Sequence, residues 1–164
     1  MIKSLFKKAL VAVNGSIYSE HALMYSFILA KQMHISLKVV FVVDTATINH
    51  LALSKLFIAD EKDYYRDNLI SDGEKYLKYV EELAKAKGVL VETELRKGSV
   101  WSEVVKAAKE YEADHIIIGG QEYKPAESIH RNVVSSTLSE IIASSHCSVL
   151  VVKQPEIETL FNYL

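Results

Sequence analysis

The sequence predicts an α/β fold of the Rossmann-like kind, a doubly wound sheet of five parallel strands with helices on both faces. The first observation is that short apolar segments alternate with helical patterns along the 164-residue chain, in the order βαβαβαβαβ. The second is that two of these segments, Ala9–Val13 and Asp114–Ile118, stop at turns that contain Gly15 and Gly119. In open parallel sheets, ligands bind outside the carboxyl ends of the strands, where the strand order reverses. These two strand ends therefore mark the expected place of a small-molecule site.

The first half of the chain contains two predicted strands with a helix between them. Ala9–Val13 is short, β-branched and uncharged, as expected of a buried strand. Ser16 is a suitable N-cap, and the helix after it has a narrow face whose small residues allow close packing on a sheet. That face consists of Ala22, Leu23, Ser26, Phe27 and Ala30. Leu37–Val43 is predicted as the second strand, and it ends at Asp44.

The segment Thr45–Arg66 is long for a connection and rich in apolar residues. A segment of this kind either packs as a short helix or covers another part of the molecule. Two interpretations stay open at this point. The segment is a lid over the crevice, or it extends the following helix, which is predicted over Asp67–Lys87.

Periodicity also predicts the elements of the second half. Val89–Leu95 alternates apolar and charged residues, which indicates one solvent-facing side or an edge position. Val100–Tyr111 and Ser135–Ser145 have helical patterns, and Ser148–Val152 is predicted as the last strand. Beyond Pro155, apolar residues recur at helical spacing. This tail packs either on its own domain or on a partner subunit.

Composition and motifs exclude several classes of function. Hydrophobic residues make up 49% and charged residues 24%, and the net charge of −2 leaves no broad basic face for nucleic acid or an anionic membrane. Cys147 is the only cysteine, which excludes an internal disulfide and fits a cytoplasmic protein. The histidines lack metal-ligand spacing, and no nucleophile elbow is present, so neither a metal site nor a catalytic residue is predicted. His115, in a buried strand, is predicted to be a satisfied core histidine.

Several segments together resemble the universal stress protein family, and the likeness covers nearly the whole chain. Val11-Ala12-Val13-Asn14-Gly15-Ser16 is similar to the first strand and turn of that family, and Ala113–Gly119 resembles its fourth strand. Residues 41–44, 98–99 and 145–152 match three further segments in the same order. The resemblance implies the strand order 3-2-1-4-5, a single domain over residues 1–154 and a C-terminal tail over residues 155–164.

The resemblance also implies how the chain associates. In the strand order 3-2-1-4-5, the last strand lies at an edge of the sheet, and its residues are uncharged until Lys153. Relatives of this kind pair through that strand, so a homodimer is expected. The predicted interface residues are Val149, Leu150, Val151 and Val152. The alternative is that the tail folds back and shields its own edge.

In the ATP-binding branch of the family, the fourth strand leads into glycines whose amides approach the phosphates of the nucleotide. Gly119 matches the first of these glycines, but Glu122 and Ser135 replace the other two, and the loop between them has twelve residues instead of nine. Glu122 brings a carboxylate towards the phosphates. Lys124, His130 and Arg131 in the longer loop either contact phosphate in place of the missing glycines or are solvated loop charges.

For a bound nucleotide, the resemblance implies contacts at three strand ends and one helix. The base and ribose would contact Ala12, Val13, Asn14, Val42 and Val43, and the phosphates would lie near Gly119, Ser135, Ser136 and Thr137. The expected ligand is ATP or another adenine nucleotide, with Mg²⁺ only when a nucleotide is bound.

Three functions remain open on the sequence. The first is a stress-response or signalling module with an adenine-nucleotide crevice. The second is a dimeric protein-interaction module without nucleotide, its crevice filled by side chains such as Glu122 and Tyr123. The third and weakest is a slow nucleotide hydrolase, for which no convincing base is present. The protein partner is not identified by the sequence.

Overall fold

The computed structural model describes residues 4–54, 59–120 and 135–164. Its centre is a five-stranded parallel sheet in the order β3-β2-β1-β4-β5, which confirms the predicted fold class and strand order. The strands are β1 (Lys8–Val13), β2 (Ser36–Asp44), β3 (Val91–Gly98), β4 (His115–Gly119) and β5 (Ser148–Val152). The helices are α1 (Ile17–Met33), α2 (Thr45–Leu53), α3 (Ala59–Lys87), α4 (Val100–Glu110), α5 (Ser136–Ser144) and α6 (Ile157–Asn162).

Two apolar cores form, one on each face of the sheet. On one face, α1, α3 and α6 cover alternate strand residues such as Val11 and Val39. On the other face, α4 and α5 cover residues such as Leu10 and Val40. The predicted inner face of α1 is buried in full, and its largest member, Phe27, is inaccessible to solvent. Burial of a side chain of that size stabilises the fold by roughly 1.5–3 kcal/mol.

The segment predicted as lid or helix extension contains the whole of α2 and the first turns of α3. Asp44 caps α2 directly after β2, because its Oδ1 accepts a hydrogen bond from the Thr47 amide at 3.0 Å. α3 begins at Ala59, eight residues earlier than predicted, because its first turns are charged and exposed and so lack an apolar period. Its 29 residues span about 43 Å, whereas the nine of β2 span about 30 Å. α3 therefore extends past the carboxyl ends of the strands, where α2 packs on it.

The third strand lies at one edge of the sheet, as its alternating pattern predicted. It begins two residues later than expected, because the Val89 amide donates to the carbonyl of Ala84 at the end of α3. It also runs on to Gly98, which pairs with Asp44 of β2. Two charged residues of its second half, Glu94 and Arg96, form ion pairs on the α4 face of the sheet.

The C-terminal tail packs on its own domain. Phe161 of α6 is buried, and its ring lies 6.1 Å from the ring of Phe27 in α1. Lys87 at the end of α3 donates from Nζ to the Phe161 carbonyl at 3.1 Å and lies 4.6 Å from the centre of its ring. The sequence left two places open for this segment, and the structure shows the intramolecular one.

His115 is a satisfied core histidine, as predicted. Its side chain is buried, and its Nδ1 lies 2.8 Å from Oδ1 of Asp114. The ring of Phe6 stacks on the imidazole at 3.6 Å, while Asp114 Oδ2 accepts hydrogen bonds from the amides of Lys7 and Lys8. Asp114 and His115 therefore attach the amino-terminal segment to the sheet.

Candidate ligand-binding crevice

The strand order reverses at β1, which lies between β2 and β4. The connection from β1 to β2 runs through α1 on one face, whereas α4 precedes β4 on the other face. The carboxyl ends of β1, β2 and β4 therefore border the position at which open α/β sheets hold their ligands. Ala12 pairs with Val40 on one side and with Ile118 on the other. The predicted residues of the three strands therefore lie together at the carboxyl end of the sheet.

The four apolar residues predicted to contact the base and ribose are buried at the carboxyl ends of β1 and β2. Ala12 and Val42 belong to the core beneath α4, and Val13 belongs to the core beneath α1. Val43, at the end of β2, is 1% exposed. At Val13 and Val43, the groups able to meet a ligand are those of the backbone.

Asn14 forms the turn that connects β1 to α1. Its Oδ1 accepts a hydrogen bond from the Ser16 amide at 3.0 Å, and its own amide donates to Ser19 Oγ at 3.3 Å. Gly15 between them has a φ of +78°, a backbone region that favours glycine. The Asn14 side chain is exposed, and within the described parts of the chain no residue accepts from its Nδ2. That amide group is free to donate to a ligand at the end of β1.

Asp44 lies at the end of β2, where an acidic residue would hold a metal ion beside a phosphate. Both of its oxygens serve α2 instead: Oδ1 accepts from the Thr47 amide, and Oδ2 accepts from Thr47 Oγ1 at 2.6 Å. Among residues 4–54, 59–120 and 135–164, no group of three His, Cys, Asp or Glu side chains is arranged to hold a metal. The helix cap accounts for this carboxylate without a ligand.

Gly119 has a packing role that the sequence did not reveal. A Cβ at this position would lie 2.1 Å from the carbonyl oxygen of Tyr18 and 2.4 Å from its carbonyl carbon. Real Cβ atoms do not approach backbone this closely, so the end of β4 contacts the first turn of α1 only through a glycine. Gly120 is similar, because its Cβ would lie 2.6 Å from Cγ1 of Val151. Both glycines are explained by packing whether or not a phosphate binds beside them.

The first turn of α5 carries hydroxyl and amide groups. Ser135 is the N-cap, and its Oγ accepts from the Leu138 amide at 3.2 Å. Ser136 is exposed and Thr137 is half-buried. A helix N-terminus carries free amides and a partial positive charge, a combination that favours anions. Glu122, Lys124, His130 and Arg131 lie outside the described residues.

A sequence model of the Universal stress protein family matches residues 5–153. The chain belongs to the universal stress protein family. Universal stress protein YxiE of Bacillus subtilis is 30% identical over 151 residues, which cover 91% of this chain and 100% of the relative.

Two solved structures have the same fold as this universal stress protein. A family protein of Arabidopsis thaliana with AMP bound has a TM-score of 0.64 at 16% identity, covering 93% of this chain and 95% of that one. A universal stress protein in complex with cAMP has a TM-score of 0.58 at 17% identity, covering 91% and 98%. At these identities the comparisons establish the fold alone. Within the described ranges of this chain, no helix has the length and hydropathy needed to span a bilayer.

Tyr76 is a residue of α3 in this universal stress protein to which the sequence assigned no role at the crevice. Its Cδ2 lies 3.9 Å from the position of a Cβ on Gly15, so its ring supports the turn at the end of β1. Its hydroxyl is buried and has no well-formed hydrogen bond to a described residue. Burial, reinforced by the nearby Glu20 carboxylate, raises the pKa of Tyr76 well above its usual range. The neutral phenol therefore persists at every physiological pH, and no pattern in the sequence indicated this contact.

Proposed function

We propose that this universal stress protein is a stress-response module that binds an adenine nucleotide at the carboxyl ends of β1, β2 and β4. The observation that carries the proposal is the topology: the strand order reverses at β1, and the exposed first turn of α5 follows β4 in the chain. The two solved relatives with AMP and cAMP have the same fold, which supports an adenine nucleotide as the ligand class.

Each part of the nucleotide has a suitable neighbour in this proposal. The adenine borders Val42 and Val43, and the ribose lies near Ala12, Val13 and the free amide of Asn14. The phosphates lie near Gly119 and the first turn of α5, at Ser135, Ser136 and Thr137. Because Asp44 already caps α2, Mg²⁺ enters only together with the phosphates and not as a resident ion.

The first experiment identifies the ligand. Small molecules released by acid from freshly purified protein are identified by mass spectrometry, and thermal shifts are measured with ATP, ADP, AMP and cAMP. A stoichiometric adenine nucleotide, or a saturable shift with one of the four, supports the proposal. An empty protein without any shift contradicts it and favours the protein-interaction module.

A substitution in α5 tests the place of binding. Replacement of Gly119 would disrupt the packing of β4 on Tyr18. Loss of binding in such a variant could then result from disturbed folding and not from the loss of a ligand contact. Ser136→Glu is better, because a carboxylate in the first turn suits the helix dipole but repels phosphate. We expect binding to weaken by about tenfold or more, which corresponds to about 1.4 kcal/mol. The matched control is Ser139→Glu, an exposed position one turn later in the same helix. Equal affinity in the two variants would place the phosphates elsewhere.

We also propose that a second copy of the chain pairs through β5. Among the described strands, β5 pairs only with β4, and no charged residue interrupts Val149, Leu150, Val151 and Val152. An edge of this composition is a template for another strand. α6 packs on α1 of the same subunit, and its Phe161 shares an apolar core with Leu150 and Val152 of β5. The homodimer would then present the crevices of two subunits to a downstream protein partner.

A further inference from the structure

A cleft of about 520 Å³ lies at the opposite end of the sheet, outside the amino ends of β2 and β3. The end of α1, the connection from α3 to β3 and the residue after α4 surround it. Its volume is within the range of small-molecule pockets, roughly 300–1,000 Å³. No part of the candidate nucleotide site contributes to its lining, which consists of residues 30–31, 34–37, 88–92 and 111.

The floor of this amino-end cleft is apolar. Ala30, Ile35, Leu37 and Val89 are buried members of the core beneath α1, and Val91 packs on the same core. Two backbone conformations keep the cleft open above them. His34 ends α1 with a φ of 55°, and Gly88 ends α3 with a φ of 65°. Both residues turn the chain sharply away from their helices, so the space above the floor is not filled by a further helical turn.

Charges of opposite sign line the two sides of the cleft. Lys31 and His34 come from α1, on one face of the sheet, whereas Tyr111 follows α4 and packs on the core of the other face. Glu92 of β3 lies close enough to Tyr111 to raise the pKa of its phenol, although burial is the larger cause. Within the described residues, the side chains of Lys31, His34 and Glu92 form no hydrogen bond or ion pair. These three groups are available to a ligand.

Within the described residues, neither neighbouring lysine forms an ion pair with Glu92, although Lys38 is its partner in the strand register. Lys38 Nζ forms an ion pair with Glu94 at 2.8 Å, and Lys8 Nζ donates to the Tyr111 carbonyl at 3.4 Å. Both ammonium groups also lie over the Tyr111 ring, at 5.5 and 5.1 Å from its centre. In addition, α1, α3 and α4 all end on this side of the sheet, near the amino ends of the strands. The partial negative charge of helix C-termini favours a cationic group there.

From this arrangement we propose that the amino-end cleft binds a small zwitterion with an apolar body, of the size of an amino acid or a dipeptide. The carboxylate of the ligand faces Lys31 and His34, its ammonium group faces Glu92 and the Tyr111 hydroxyl, and its apolar part lies on the floor. An anion alone would leave Glu92 unpaired, and a cation alone would leave Lys31 unpaired. A zwitterion satisfies both sides of the cleft.

The test uses the whole chain, isotope-labelled for amide NMR. The probes are L-leucyl-L-leucine, which carries both charges, isocaproate, which carries the carboxylate alone, and isopentylamine, which carries the ammonium alone. We expect saturable shifts with the dipeptide at millimolar concentration, centred on the amides of His34, Ser36, Gly88 and Leu90. Shifts that do not saturate, or that spread evenly over the surface, would overturn the proposal.

Two variants separate the charges. Glu92→Gln should weaken the dipeptide and isopentylamine by up to about fivefold each, the range of an exposed ion pair, and leave isocaproate unchanged. Lys31→Gln should weaken the dipeptide and isocaproate and leave isopentylamine unchanged. The control is Glu82→Gln on the exposed face of α3, which should change none of the three. If both cleft variants weaken all probes equally, the proposed orientation is wrong.

A third variant tests the volume of the cleft. Ser36 is exposed at the start of β2, and Ser36→Trp adds bulk over the floor without replacing a core residue. We expect it to abolish the saturable shifts of all probes with little change in thermal stability. A variant that folds and still binds the dipeptide would place the ligand outside the cleft.

Discussion

The two edges of the sheet differ in how they meet solvent. At β3, Lys97 and Glu92 are exposed, and Arg96 lies among carboxylates from its own strand and from α4. At β5, the four residues before Lys153 are aliphatic. Charged residues on an edge strand oppose pairing with another sheet, whereas an aliphatic edge permits it. One edge is therefore protected and the other is open, an arrangement that favours a closed pair over a filament.

A substitution that blocks strand pairing at β5 should have the largest effect, and this effect is on self-association. Gly120 donates to the Val152 carbonyl, so the backbone groups of Val151 face away from β4 and towards solvent. Val151→Pro removes an outward donor without breaking a bond to β4. We expect self-association, measured by analytical ultracentrifugation, to weaken by at least about a hundredfold, since each copy loses a ladder bond and gains a clash.

Val151→Ala is the matched control for this change, because it keeps the backbone donor. It should retain most of the dimer. If the proline variant associates as strongly as the native chain, β5 is not the interface, and the comparison between the two edges says nothing about assembly.

Removing the positive charge of Arg96 in β3 should have a smaller effect, and this effect is on the stability of the fold. The Arg96 side chain is 11% exposed, and it forms ion pairs with Glu94 at 2.7 Å, with Glu103 at 3.5 Å and with Glu110. Arg96→Met leaves these carboxylates facing one another. We expect a loss of about 2 kcal/mol in the free energy of unfolding by urea, between the values for surface and buried pairs.

Arg66→Met provides the comparison for Arg96→Met. Arg66 also pairs with two carboxylates, those of Asp63 and Asp67, but on the exposed side of α3. Its replacement should change stability by less than about 0.5 kcal/mol. Equal losses in the two variants would mean that the position of Arg96 on the sheet has no special value.

Acid should weaken the protected edge more than the open one. Burial alone would raise the pKa of Glu94, but hydrogen bonds from Lys38 and Arg96 outweigh it and lower that pKa below its ordinary value. A depressed carboxylate pKa stabilises the fold fully above the unfolded-state value, about 4.3, and this contribution is lost as the pH falls through the folded-state value. We expect roughly 1 kcal/mol to depend on this group.

The measurement is the difference in unfolding free energy between the native chain and Glu94→Gln at neutral and at acid pH. The difference should be largest near pH 7 and shrink as the pH approaches 3, because protonated Glu94 resembles glutamine. Hydrogen exchange, corrected for its intrinsic rate, should show increased opening at β3 and none at β5. A difference that stays constant with pH would show that ionisation of Glu94 does not stabilise β3.

Periodicity and turn residues were sufficient to predict the sheet, because each strand is a short apolar run with a helical pattern before or after it. The start of α3 could not be predicted in this way. Most residues of 60–66 are exposed, so no buried face marks this part of the helix. Leu90 misled the prediction of β3 in the opposite sense: it has the composition of a strand residue, yet it is 91% exposed in the turn before the strand.

In the candidate site too, features set by local sequence were predictable, whereas features set by tertiary contacts were not. Ser16 was predicted as a helix cap from local sequence, and its Oγ accepts the expected hydrogen bond from the Ser19 amide. The roles of Gly119 and Tyr76 depend on contacts between elements distant in the chain, so they could not be predicted from a single sequence. The place of the tail was undecided for the same reason, because Phe161 meets Phe27 only in the folded chain.

The close approach of Tyr18 to Gly119 affects how a map of mutational tolerance for this chain would be interpreted. Every side chain larger than hydrogen at position 119 would separate β4 from α1, so intolerance there would report on folding even in cells that lack the ligand. Ser136 has no such constraint, because its side chain is exposed. A position that tolerates alanine but rejects acidic residues would reveal selection for an anion. In a deep mutational scan, Ser136 is therefore the more informative of these two positions.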